Sequence, residues 1–133
     1  MILGIGNDVV NIGRIEAALA RHGDRFRNRV YTDAELALAR RMADGVGILA
    51  KRWAAKEACT KALGTGMTQG VALCDIEVLT SPGKRPALQL KGGALTRLNR
   101  MMPPGHRPRI HLSMSDDRPS ATALVIIEAI PFE

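Results

Sequence analysis

The spacing of apolar residues changes once along the chain, near Gly70, and this change restricts the possible folds. Before it, three segments have the apolar spacing and end signals of helices. After it, two pairs of strand-like segments flank turn residues. These segments lie at residues 74–80, 86–90, 109–115 and 120–130. Since 133 residues is about the length of one domain, the pattern predicts a single compact α+β domain over residues 1–133. An antiparallel sheet would pack against one long and several short helices.

End signals define four predicted helices. Asn11 can cap the first helix and Gly23 can end it, while the string TDAE at 32–35 is a capping box that begins the second. Gly64 suits the left-handed position that closes the third helix, and a double proline stops the fourth. The helices are predicted at residues 11–23, 32–42, 46–63 and 93–102.

The N-terminal stretch GIGNDVV, residues 4–10, alternates like a strand. One face would carry Gly4, Gly6 and Asp8, and the apolar face would carry Leu3, Ile5 and Val9. A carboxylate flanked by glycines is sterically open, which suits a metal ion or a ligand. Alternatively, the strand ends at Asn7 and Asp8, which then begin a turn or cap the next helix. The stretch alone favours this alternative.

The charge balance predicts an anionic partner. The chain has 19 Lys and Arg against 13 Asp and Glu, a net charge of +6 and an isoelectric point near 10.0. Its few aromatic residues are not clustered into a stacking platform, so phosphorylated small molecules and acidic proteins fit as well as nucleic acid does. Arg14 and Arg21 lie two turns apart on the first helix. They form either a solvated basic face or a docking stripe for an acidic partner.

The sequence shows neither a membrane span nor a secretion signal. No apolar run approaches the roughly 20 residues of a membrane helix, and the N-terminus lacks the basic region and apolar core of a signal peptide. We therefore expect a cytoplasmic protein without a membrane partner. Cys59 and Cys74 have no metal-site spacing, so both are expected to be reduced and packed.

The third helix contains the chain's most unusual distribution of charge. Glu57 and Lys61 stand four residues apart and share a face, which taken alone is a common stabilising pair. However, Arg52 and Lys56 fall on or beside the apolar stripe, and most of the remaining surface is alanine. Such a surface invites close approach by another element or a ligand. A phosphate near Gly64 would face the negative end of the helix dipole, so Lys61, Arg52 or a metal ion would have to neutralise it.

Two segments in combination resemble a known family. GIGNDVVNIGRIE at 4–16, followed by AKRWAAKEACTKALGTG at 50–66, is similar to the holo-acyl-carrier-protein synthases, which are small phosphopantetheinyl transferases. The resemblance extends over the turn at 83–86 and the segment HLSMSDDRPSATALVIIE at 111–128. It runs essentially from end to end, and it implies the 4′-phosphopantetheinyl transferase fold.

The resemblance implies a reaction and a set of residues for it. A serine hydroxyl of apo-acyl carrier protein would attack the β-phosphorus of coenzyme A and release adenosine 3′,5′-bisphosphate, with Mg²⁺ as cofactor. The implied metal ligands are Asp8 and Glu57. The implied catalytic residues are Asp8, Glu57 and Lys61, with Lys61 acting on the departing phosphate and Glu57 or a metal-bound water accepting the serine proton. The implied coenzyme-binding residues are Arg52, Lys61, Gly64, Pro86 and His111.

The resemblance also implies partners. Arg14 and Arg21 would dock the acidic carrier protein, and the chain would form a homotrimer with active sites between subunits, without nucleic acid. Asp116 departs from the family, since many members have histidine at this position bordering the coenzyme site. His111 also has an ordinary reading as a strand residue. The alternative function is a non-catalytic basic module that binds RNA or an acidic protein, for which Asp8 and Glu57 would be dispensable.

Overall fold

Five β-strands form two separate antiparallel sheets in the computed structural model, which describes residues 1–132. Five α-helices and one short 3₁₀ turn connect them. The elements in chain order are β1 Ile2–Asn11, α1 Ile12–His22, α2 Asp24–Val30, α3 Asp33–Arg41, α4 Gly45–Leu63, the 3₁₀ turn Leu73–Asp75, β2 Ile76–Leu79, β3 Ala87–Leu90, α5 Gly92–Met101, β4 His106–Asp117 and β5 Ser120–Pro131. The predicted α+β class is confirmed.

The larger sheet has the strand order β1-β5-β4, so the two ends of the chain meet in it. In the register of this sheet, Asp8 of β1 lies opposite Ala123 of β5, and Ala123 lies opposite Met114 of β4. The smaller sheet is the hairpin of β2 and β3, in which Ile76 pairs with Leu90. Both predicted strand pairs are confirmed. The second hairpin is longer than predicted, because β4 begins at residue 106 and continues to residue 117.

Helix α4 packs across the face of β1 that carries the glycines. A Cβ atom at Gly4 would lie 2.0 Å from the Ala62 carbonyl oxygen, so only glycine allows the helix backbone so close. The prediction that this face is open to a ligand is therefore wrong at Gly4 and Gly6, where α4 fills the space. The alternative prediction, that the strand ends at Asn7 and Asp8, is also wrong, since β1 continues to Asn11.

The core surrounds α4 on nearly every side. Twelve of its residues are buried, and five of them are fully enclosed small side chains: Ala50, Ala54, Ala55, Ala58 and Cys59. Small side chains let the sheet and the other helices approach α4 closely. Because neighbours surround it, the helix has no clear division into an apolar and a polar face. Cys59 is buried and Cys74 half-buried, and both are free thiols as expected. Within residues 1–132, none of the helices has the length and hydropathy needed to span a membrane.

The predicted helix ends agree with the structure, but one helix was not predicted. The Asn11 side chain accepts from the Gly13 backbone N–H, and the capping box of Thr32 and Glu35 is complete. The missed helix is α2, Asp24–Val30, which follows Gly23 directly. Its sequence DRFRNRV is short and rich in arginine, so it shows no clear apolar periodicity.

Candidate functional site

The three residues predicted to be catalytic converge at the β1 edge of the larger sheet. Lys61 Nζ lies 3.1 Å from Asp8 Oδ1 and also donates to the Asn7 carbonyl oxygen at 2.9 Å. Glu57 lies one turn earlier on the same side of α4. Strand β1 holds Asp8 by its pairing with β5, and the glycine contacts described above hold α4 against β1. The fold therefore assembles a site from segments 53 residues apart.

The electrostatics of this cluster favour a cation. Burial raises the pKa of the Glu57 carboxyl above its ordinary value, the negative charge of Asp8 raises it further, and Lys61 partly opposes both effects. The cluster has two carboxylates and one ammonium group. Since the Lys61 side chain is 52% exposed and the Asp8 side chain only 16%, Lys61 can turn towards a ligand while the carboxylates stay in place.

The donor set of the cluster fits Mg²⁺. Carboxylate oxygens are the hard ligands that Mg²⁺ prefers, and this ion commonly uses only one or two of them together with water and substrate phosphates. Within residues 1–132, no group of three or more His, Cys, Asp and Glu side chains is arranged to hold a metal ion. Asp8 and Glu57 therefore fit an ion whose remaining ligands come from a phosphorylated substrate.

Arg52 lies in a buried pocket next to the β2–β3 hairpin. It is 3% exposed, and its Nη2 donates to Thr80 Oγ1 at a distance of 3.3 Å. Among the described residues, its buried Nε has no hydrogen-bond partner. Pro86 precedes Ala87, which pairs with Leu79 at the same end of the hairpin. The structure thus brings Arg52 and Pro86 to one region, where the buried Arg52 Nε is an unused donor within residues 1–132.

The C-terminus of α4 has a cation that sequence reasoning missed. Gly64 closes the helix in the left-handed conformation with φ 77°, as predicted. Arg97 of α5 donates from Nε to the Leu63 carbonyl oxygen at 2.9 Å, so its guanidinium lies beside Gly64. This charge offsets the negative end of the helix dipole. Arg97 belongs to no motif, and only the packing of α5 against α4 reveals it.

His111 and Asp116 lie apart from the Asp8 cluster within one chain. His111 pairs with Ile126, which pairs with Ile5, so it lies on the face of the sheet opposite to Asp8. Its Nε2 is 2.9 Å from Glu128 Oε1. Asp116, on the far outer strand, forms an ion pair with Lys51 at 3.1 Å. Strands β1 and β4 are separated by β5, which places them about 10 Å apart.

Arg14 and Arg21 are exposed on α1, where the sequence predicted a docking surface. Helix α2, which follows α1 in the chain, lines a groove of about 500 Å³ that sequence reasoning missed. Phe26, Arg29, Trp53 and Met67 line part of it, and the Phe26 and Trp53 rings stack at 5.7 Å. The prediction that the aromatic residues do not cluster is therefore wrong. They are far apart in sequence, and the packing of α2 against α4 brings them together.

Comparisons with known proteins agree with this arrangement. A family model described as the 4'-phosphopantetheinyl transferase superfamily matches residues 4–102. A holo-[acyl-carrier-protein] synthase of Cereibacter sphaeroides is 56% identical over 98% of this chain and 96% of its own length. One of Chelativorans sp. is 53% identical over the full length of both.

Solved structures give the same result. The crystal structure of the Neisseria meningitidis holo-[acyl-carrier-protein] synthase has 36% identity and a TM-score of 0.83, and the match covers 96% of this chain and 99% of that one. The Helicobacter pylori synthase in complex with coenzyme A has 29% identity and a TM-score of 0.78 over 93% and 99% of the two chains. The chain therefore belongs to the 4'-phosphopantetheinyl transferase superfamily, and within it to the holo-[acyl-carrier-protein] synthases.

Proposed function

We propose that this protein transfers the 4′-phosphopantetheine group of coenzyme A to a serine hydroxyl of apo-acyl carrier protein. The observation that carries the proposal is the cluster of Asp8, Glu57 and Lys61 at the β1 edge. Relatives at 53–56% identity bear the name of this activity, and the related Helicobacter pylori enzyme was crystallised with coenzyme A. The nucleophile belongs to the carrier, so no serine or cysteine of this chain is needed for it.

Asp8 and Glu57 would hold Mg²⁺. Bound there, the ion would supply a Lewis acid that neutralises charge on the pyrophosphate of coenzyme A. Side chains of this protein would bind the phosphates and transfer the protons. Lys61 would leave Asp8 and bind the same phosphates, and the loss of its partly exposed ion pair costs little.

The chemical step exchanges one P–O bond for another. The serine Oγ attacks the β-phosphorus, and the bond from that phosphorus to the bridging oxygen breaks. Adenosine 3′,5′-bisphosphate leaves with the electron pair, and Lys61 stabilises or protonates the phosphate on which the charge develops. We assign the serine proton to the Glu57 carboxylate, which lies in the cluster with Asp8 and Lys61. A carboxylate has two oxygens, so one can face the metal while the other takes the proton.

Arg52, Lys61, Gly64 and Pro86 would bind the coenzyme. Arg52 supports this role because its buried guanidinium donates to the Thr80 hydroxyl at 3.3 Å, interacts with the charge of Glu35 and keeps an unpartnered Nε among the described residues. A buried cation with incomplete hydrogen bonding is stabilised by an anion. A phosphate of coenzyme A is such an anion.

Arg14 and Arg21 would dock the acidic carrier. Both are exposed on α1, and α2 continues the basic surface to the groove that Trp53 lines. Trp53 precedes Glu57 by one helical turn, so the groove begins about 6 Å from the catalytic side of α4. A carrier bound on α1 and α2 would thus place its serine near the cluster.

The outer face of the larger sheet would join three copies of this chain. It exposes apolar side chains, with Ile5 60%, Val9 62% and Leu124 40% accessible, and such a face marks an interface. His111 lies on this face and Asp8 on the opposite one. A site that uses both residues needs two chains, which supports active sites between subunits.

We also propose a single transferase domain over residues 1–133. It is supported by the larger sheet, in which β5 pairs with the first strand, β1. A cytoplasmic location remains a prediction.

Intact-mass spectrometry tests the proposal. Apo-acyl carrier protein is incubated with the protein, coenzyme A and Mg²⁺, and parallel samples contain EDTA or the Asp8→Ala variant. We expect the carrier to gain one phosphopantetheine in the complete sample only. If a folded protein modifies none of several carriers but binds them, the basic binding module replaces the enzyme as the best proposal.

A further inference from the structure

Lys56, the neighbour of Glu57 in the sequence, is a fully buried ammonium group with three acceptors. Its exposed fraction is zero. Its Nζ lies 2.8 Å from Glu35 Oε1, donates to the Leu73 carbonyl oxygen at 3.1 Å and also donates to the Ile76 carbonyl oxygen. The three N–H bonds of the ammonium group are thus all used inside the protein. Lys56 has no free donor with which to bind a substrate.

Glu35 is also buried, and both of its carboxylate oxygens accept hydrogen bonds inside the protein. Its Oε1 accepts from the Thr32 backbone N–H at 2.9 Å in the capping box, and its Oε2 accepts from the Val78 backbone N–H at 2.9 Å. Through Lys56 the same carboxylate is tied to α4. The pair therefore connects the start of α3, the middle of α4, the 3₁₀ turn and β2.

These contacts fix α4 in addition to its close approach to β1. Five of the twelve buried residues of α4 are alanines, and small side chains resist rotation or sliding of a helix less than interlocking large ones do. Lys56 points into the interior, whereas Glu57, 100° further round the helix, lies towards β1. A rotation of α4 about its own axis would therefore move Glu57 and Lys61 relative to Asp8.

We infer that the Lys56–Glu35 pair is a positioning device for the transfer reaction: it sets the rotation and axial position of α4 so that Glu57 and Lys61 meet Asp8. Neither residue touches the substrate. The inference rests on the proposed function. It assigns to Lys56 a role that is separate from stability, because a well-packed apolar pair can replace a buried ion pair without loss of stability.

The test separates position from stability. The variants are Lys56→Met, the double variant Glu35→Leu with Lys56→Met, and Leu49→Ala as a control that weakens packing elsewhere on α4. Each is measured for its urea unfolding midpoint and for kcat and KM at a temperature at which it is folded. We expect Lys56→Met to be unstable because it leaves the buried Glu35 carboxylate without its ammonium partner. The double variant should regain part of that stability, since Glu35→Leu also removes the acceptor of the Thr32 and Val78 N–H groups.

The expected result is a kcat for the double variant about 10- to 100-fold below that of the wild type, with an unchanged KM for the carrier because Arg14 and Arg21 lie on α1. Leu49→Ala should lose stability but keep its kcat. A double variant that folds and keeps the wild-type kcat would overturn the inference.

A further variant decides the case in which the double variant fails to fold. Glu35→Asp keeps the charge and shortens its reach by one methylene group. We expect it to fold with a lowered kcat, and a wild-type kcat would also overturn the inference. If the wild type itself transfers nothing to any carrier, the proposed function fails first, which the mass measurement reveals independently of these variants.

Discussion

Gly6 packs against the backbone of Ala58 with no space for a side chain: a Cβ atom at Gly6 would lie 1.9 Å from the Ala58 carbonyl oxygen. The Gly6→Ala variant must therefore push α4 away from β1, which separates Glu57 and Lys61 from Asp8. We expect a loss of about 3 kcal/mol in the free energy of unfolding and no transfer. Urea unfolding and mass spectrometry of the carrier check both.

Gly105→Ala is the control for this prediction. Gly105 has a left-handed backbone conformation, with φ 78°, but nothing lies within 4 Å of its added Cβ. We expect a cost of about 1 kcal/mol and normal transfer. Wild-type stability of Gly6→Ala would show that α4 does not depend on this contact.

Removal of the Glu57 charge should stabilise the protein while it abolishes transfer. The folded-state pKa of Glu57 is raised by burial and by Asp8, so its ionisation opposes folding at pH values above that pKa. We expect Glu57→Gln to gain on the order of 0.5 kcal/mol at neutral pH. The gain should disappear as the pH falls below about 4, where the wild-type carboxyl is protonated in both states.

Unfolding curves of wild type and Glu57→Gln between about pH 3 and pH 8 measure this difference. The exposed Asp117 provides a control, since Asp117→Asn should change neither stability nor transfer. A Glu57→Gln variant that is less stable than the wild type at neutral pH would contradict the assigned electrostatics.

Lys61→Ala should reduce kcat by about 10²- to 10³-fold, because a positive charge at the departing phosphate is lost. Stability should change by less than about 1 kcal/mol, since the ion pair with Asp8 is half exposed. Steady-state transfer assays measure the kcat. The exposed Lys91 offers a matched control in Lys91→Ala, and equal kcat values for the two variants would remove Lys61 from the mechanism.

Reversal of charge at Arg14 or Arg21 should raise the KM for the carrier about tenfold or more, with the KM for coenzyme A unchanged. The effect should shrink at high salt because the residues are exposed. Arg41→Glu, an equal change of net charge on exposed α3, should leave the carrier KM as it is. If Arg41→Glu raises the carrier KM equally, net charge rather than a docking surface is responsible.

The outer sheet face gives a prediction about assembly. Val9→Asp places a charge among exposed apolar side chains, so the trimer should dissociate into folded monomers. Light scattering measures the mass of the assembly.

A second experiment tests whether active sites lie between subunits. The Asp8→Ala and His111→Ala variants are mixed under conditions that exchange subunits. If active sites lie between chains, the mixture regains part of the activity that each variant lacks. A monomeric wild type would contradict the proposed trimer.

Local signals explain which parts of the fold the sequence could predict. The capping box at Thr32 and the left-handed Gly64 depend on residues next to them, and both are present as predicted. The pairing of β1 with β5 joins residues more than 100 positions apart, and no local pattern specifies it. Helix α2 was missed because its short arginine-rich sequence gains its order from packing.

The same distinction applies to the site. Glu57 and Lys61 share a helix face by spacing alone, but their meeting with Asp8 was expected only from the family resemblance. Lys56 was recognised as a charge beside the apolar stripe, and its complete burial follows from Glu35, 21 positions earlier in the chain. The Arg97 contact with Leu63 depends on how α5 packs and leaves no trace in the sequence.

The pairing of the first strand with the last has a consequence for synthesis on the ribosome. Within residues 1–132, the sheet partner of β1 is β5, Ser120–Pro131, so Asp8 gains its ladder partner Ala123 only after a further 115 residues have been synthesised. Contacts of such long sequence separation slow folding. The nascent polypeptide would therefore remain catalytically silent until β5 has emerged and entered the sheet.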